Sequence, residues 1–147
     1  MLDNYTIVHI VHLLAAIIFL GFVFADVMVL GVLKKDFGKE HFQELKQSIG
    51  ARARKIFPLS VLTLLLSGGY MMSKYINSQA GMFNSNLQLL LLLKIVFASL
   101  IIAGIVYSLT RKLFKKQPHP HFSKHFHKYA LLFGLFIVIL AKAMFVL

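Results

Sequence analysis

Two histidines one helical turn apart, His9 and His12, stand near the start of an apolar run that reaches Leu33. Imidazole nitrogens ligate metals and haem iron, and ionisable groups inside an apolar helix mark functional sites. Stepping from His9 at helical spacing passes His12, Ala16, Phe19 and Val23 to Asp26, so both histidines and the acid share one stripe. That stripe is expected to face other helices rather than lipid.

Thioethers are the second donor type. By the rise of a helix, Met71, Met72, Met82 and Met144 fall at the same end of their segments as the histidines. Imidazole with thioether suits Cu(I). The expected copper site is His9, His12 and Met71 or Met72, with Met82 and Met144 as further ligands. Met71 is preferred to Met72 because it continues the polar stripe of Ser60, Thr63 and Ser67. The bland alternative is that methionine fills irregular apolar gaps, as it does in many cores.

Haem is the competing cofactor. His9 and His12 share a helix and cannot take opposite faces of one ring. Haem b would therefore need His12 on one side and Met71 or Met72 on the other, a known axial pair. Lys94 lies deep in the third apolar run, close in depth to His12. It is either neutral, bonded to helix-end carbonyls, or paired with an anion such as a porphyrin carboxylate. Asp26 has the basic residues Arg52, Arg54 and Lys55 at its depth, and a structural ion pair there is expected ahead of a proton relay. His119, His121, His125 and His127 form a His-rich tract, but without a carboxylate and among lysines it is expected to be a basic interfacial loop.

The elements that must position these groups follow from composition. The chain has 147 residues, 59% apolar, with a mean hydropathy of +0.78 and no cysteine. A water-soluble fold of this size could not hide so much apolar surface, and thiolate metal sites and disulfides are excluded. The first run is too long for a signal-peptide core and has no basic flank before it. The expected fold is all-α: one four-helix transmembrane bundle and no soluble domain, with spans at about 5–33, 53–75, 87–109 and 129–147. Pro58 is expected in the first turns of the second span, where proline costs least. Between the first two spans, Phe42, Leu45 and Ile49 fall at helical spacing among charges. They indicate either an amphipathic surface helix or a solvated linker.

Lys and Arg set the expected orientation. Seven lie in 34–55 and six in 111–128, against only Lys74 and Lys142 at the opposite ends of the spans. Short basic loops stay cytoplasmic, so both termini should be extracytoplasmic. The net charge of +11 then follows from this bias and from attraction to anionic lipid, and calls for no nucleic acid.

Three stretches resemble a known family. The run His12-Leu13-Leu14-Ala15-Ala16-Ile17-Ile18-Phe19-Leu20-Gly21 is similar to the first-helix signature of copper-resistance D (CopD-like) membrane proteins. Arg52-Ala53-Arg54-Lys55-Ile56-Phe57, leading to Ser67-Gly68-Gly69, resembles the second helix, and Leu87-Gln88-Leu89 through Leu93-Lys94 the third. The resemblance implies a protein of the bacterial inner membrane that binds Cu(I), moves it, or loads it into cuproenzymes. The partners it implies are membrane lipids and periplasmic copper carriers or cuproenzymes; a homodimer is left open. HemJ-like protoporphyrinogen oxidases are more distantly similar, and would carry porphyrin or haem b binding onto His12 and Lys94. The chain departs from them: Phe19 stands near their tryptophan, Ala25-Asp26 and Val27-Met28 occupy the region of their Pro-Arg pair, and Ala103 and Gly104 stand where they have a late histidine. A non-catalytic assembly subunit is the third expectation.

Overall fold

The computed structural model describes residues 1–75, 85–115, 120–143 and 145–146. Four helices account for nearly all of them, and there is no strand among the described residues. They are α1 (Asn4–Asp36), α2 (Gly38–Tyr75), α3 (Asn86–Leu113) and α4 (Pro120–Ala143). Each contains a stretch long and apolar enough to cross a membrane. The chain divides into two compact units, residues 1–75 and 76–147, and each holds one helical hairpin.

In the first hairpin, Asp3 caps α1, its carboxylate accepting from the Thr6 amide at 3.1 Å and from the Thr6 hydroxyl. The helix is regular over Asn4–Phe24, passes through a π-helical turn at Ala25–Val29, and resumes over Leu30–Asp36. Within the π turn the Leu30 amide reaches back five residues to the Ala25 carbonyl. The chain then reverses through Phe37 and Gly38. Gly38 has a φ of +73°, the left-handed conformation that lets glycine end one helix so abruptly.

The pairs Tyr5–Tyr75, His12–Ser67 and Phe22–Phe57 fix the antiparallel register of α1 on α2, since their numbers sum to 79 or 80. The expected inward stripe of α1 is present: Ala15, Phe19 and Val23 are its buried residues. Phe19 meets Phe57 with ring centroids 5.0 Å apart. Ser60 and Ser67 are the buried residues of α2, small enough to let the backbones approach. The outer faces are the reverse of a soluble protein's, with Ile17 and Leu66 each 68% exposed. Apolar exposure on this scale marks a surface that meets lipid or another apolar helix face.

Several boundaries differ from expectation. Residues 38–55 are neither a separate surface helix nor a linker; they are the first half of α2. Nothing between Ile49 and Phe57 halts a helix, because a lone glycine such as Gly50 is tolerated. Pro58 therefore sits in the interior of a 38-residue helix rather than in its first turns. Membrane helices accommodate such prolines when neighbouring groups re-satisfy the backbone. The fourth helix begins at Pro120, nine residues earlier than expected, because proline is well suited to the first helical position. His125 and His127 thus lie on α4, whereas His119 is outside the described residues.

Length now exceeds span. α1 has 33 residues and α2 has 38, which at about 1.5 Å per residue gives rods of about 50 and 57 Å. The hydrocarbon core is only about 30 Å thick. The 18 residues between Lys55 and Lys74 carry no charge and cover about 27 Å, so the polar Gly38–Lys55 half of α2 lies beyond the apolar layer.

In the second hairpin, Phe97–Phe133 and Gly104–Phe126 set an antiparallel register. Phe97 also stacks on Phe136, with centroids 5.8 Å apart and rings within 14° of parallel. Leu91, Ile101, Ile105 and Ala130 are buried, and so is Gln88.

Candidate functional site

His12 is held by α2. Its Nδ1 lies 2.8 Å from Ser67 Oγ, and Ser67 Oγ in turn lies 2.5 Å from the Thr63 carbonyl oxygen. A carbonyl can only accept, so the hydroxyl proton of Ser67 is committed to Thr63. Ser67 must then accept from His12, which places the imidazole proton on Nδ1. When the ring is neutral its lone pair is then on Nε2, the form in which imidazole ligates a metal. This is the usual arrangement of a ligating histidine, oriented through its other nitrogen by a neighbouring acceptor.

Gly68 makes room for the ring. A Cβ there would come within 3.2 Å of His12 Cε1 and 3.7 Å of Nδ1. The Ser67-Gly68 pair thus does two things at one place: serine orients the imidazole and glycine admits it.

The end of the hairpin beyond His12 is closed by aromatic hydroxyls. Tyr5 and Tyr75 share a hydrogen bond of 3.1 Å, and the Tyr5 ring lies 6.2 Å from that of His9. His9 is half-buried, between the Tyr5 and His12 levels. Met71 falls between Ser67 and Tyr75 on the face of α2 that meets α1, and it too is half-buried. The register places Met71 at the level of His9. Met72 is turned by about 100° from that face and is exposed. His9, His12 and Met71 are therefore brought to one interface within two turns of helix.

The remaining candidates stand apart. Met82 and Met144 are outside the described residues. Lys94 is half-buried on α3, in the other unit. Asp26 lies within the π-helical turn. No group of three or more His, Asp or Glu side chains able to hold a metal occurs among the described residues, so a metal here would depend on thioether sulfur to complete its ligands.

Sequence places Ser67 on the polar stripe of the second span and in the Ser67-Gly68-Gly69 run, but does not pair it with His12. The signal was available in the antiparallel register, which pairs positions summing to about 80, but only once the turn at Phe37–Gly38 is known. Nothing in the residue pattern announced the π turn.

Compared with family models, curated proteins and solved structures, the chain finds no match.

Proposed function

We propose that this chain is an integral protein of the bacterial inner membrane that binds Cu(I) at an extracytoplasmic site and passes it to periplasmic carriers or cuproenzymes. His12 Nε2, Met71 and His9 are the ligands in this reading, and no enzymatic step is assigned to it. The observation that carries it is the His12–Ser67–Thr63 chain, which leaves the imidazole in a ligating tautomer on the face where a thioether stands one turn away. Imidazole with thioether favours the soft cuprous ion over the divalent metals.

The test is Cu(I) affinity in purified protein, measured by competition with a chromophoric chelator. His12→Ala and Met71→Leu should each weaken binding, since each removes a donor and leucine keeps the volume of methionine. Lys94→Met should leave it unchanged, because an ammonium does not ligate. A Soret band in the purified protein, lost in His12→Ala and weakened in Lys94→Met, would replace copper by haem b. Wild-type binding of both ligands in His12→Ala would remove the site.

A further inference from the structure

Towards the basic end of the first hairpin, α1 and α2 part to leave an open cleft of about 250 Å³. Ile18 and Phe22 form one wall; Ile49, Ile56 and Phe57 form the other, with Arg52 at the same side. The lining is almost wholly apolar. Ser60, also in the wall, donates its hydroxyl proton to the Phe57 carbonyl at 2.8 Å, so this side chain has no proton left to give a ligand. A polar ligand would lose its water there without replacement, at a cost of several kcal/mol by order of magnitude. Hydrocarbon would not.

One end of the cleft has the opposite character. Arg52 lines the cleft and is exposed; long basic side chains at such positions lay their methylenes on apolar surface and carry the charge to the headgroup layer. Arg54 and Lys55 follow within a turn; the register sets Asp26 of α1 at this same level, and three basic residues against that one acid leave a net positive charge. From Ser60 to Arg52 the wall runs about 12 Å along the helix axis, from the apolar interior to the headgroup layer.

We propose that this cleft binds an anionic phospholipid, with one acyl chain between Ile18, Phe22, Ile56 and Phe57 and the phosphodiester on Arg52. Apolar walls select a hydrocarbon tail, and the cationic end selects the charge of the head. The inference is independent of the copper reading, whose residues lie nearer the other end of the hairpin.

The experiment uses the full chain, released from vesicles of equal phosphatidylglycerol and phosphatidylcholine and analysed by native mass spectrometry. The expected result is one retained phosphatidylglycerol per molecule. Arg52→Gln should cut that retention about fivefold, the usual effect of one basic residue at an anionic surface. Ile18→Trp should displace the lipid by filling the cleft, and Lys34→Gln, away from it, should change nothing. Equal retention of both lipids overturns the proposal, and so does wild-type retention by Arg52→Gln. Retention of no lipid, the outcome if another part of the chain fills the cleft, overturns it as well. Should Ile18→Trp fail to fold, Arg52→Gln decides alone.

Discussion

His12 Nδ1 and Ser67 Oγ, 55 positions apart in the chain, are joined by a hydrogen bond of 2.8 Å. Because the serine proton is already given to Thr63, this bond has only one direction. Removing the acceptor should free the ring to rotate and to change tautomer. Ser67→Ala is expected to lower Cu(I) affinity by roughly 10- to 100-fold, the usual effect of losing such an orienting partner. Helix content by circular dichroism should stay at the wild-type level. Unchanged affinity would mean that His12 is not positioned through Ser67.

Two adjacent glycines supply a control within one helix. A methyl at Gly68 would press on the His12 ring at 3.2 Å, whereas one at Gly69 would meet nothing within 4 Å. Gly68→Ala should therefore displace the imidazole and weaken metal binding. Gly69→Ala should leave binding alone and stabilise the helix by up to about 1 kcal/mol. Equal effects of the two on affinity would contradict this account.

The second hairpin has its own close contact. A Cβ on Gly104 would run into the Phe126 ring, so the ring or the helix that carries it must shift. Gly104→Ala should destabilise by about 1–3 kcal/mol, as overpacking does, and lower the thermal midpoint in detergent. Phe126→Leu in the same chain should restore part of it. A midpoint equal to wild type in the single variant would show that the ring does not pack there.

Orientation is open to labelling. Ser48 and Ser85 are both exposed, one on the basic half of α2 and one just before α3. With thirteen Lys/Arg in 34–55 and 111–128 against Lys74 and Lys142 at the other ends, Ser85→Cys should react with an impermeant thiol reagent in intact cells. Ser48→Cys should be protected. The opposite pattern would invert the topology.

The Asp3 cap should respond to acid. Hydrogen bonds from the Thr6 hydroxyl and amide hold its carboxyl below the usual aspartate value. A carboxyl depressed by folding contributes above its unfolded value, about 3.9, and the contribution fades as pH falls through the lower folded one. Fraying of the first turn should appear only below that range, visible as a shift of the Thr6 amide resonance. A transition near neutral pH would rule out this carboxylate as its source.

Much of the architecture was legible because a membrane span needs only length and apolarity, and the inward stripe of α1 followed from period alone. Phe19 and Val23 are buried as that period requires. Helix ends were less legible, for a physical reason. Charge marks where a helix leaves the bilayer, not where it stops, so α2 continues through Arg52, Arg54 and Lys55 to Gly38. The histidines and Met71 could be placed at one depth from the rise per residue. That Ser67 bonds to His12 could not, since two serines on one stripe, Ser60 and Ser67, are alike in sequence and differ only in what lies across the interface.

The π-helical turn at Ala25–Val29 holds one residue more than the α-helical turn it replaces, and one residue is worth about 100° of rotation. Deleting a single residue there would swing the Leu30–Asp36 tip around the axis while leaving every residue before it in register with α2. The two parts of α1 are in that sense set by separate contacts: the turn fixes the aim of the basic tip, and the histidine stretch keeps its register on α2 through Tyr5, His12 and Phe22.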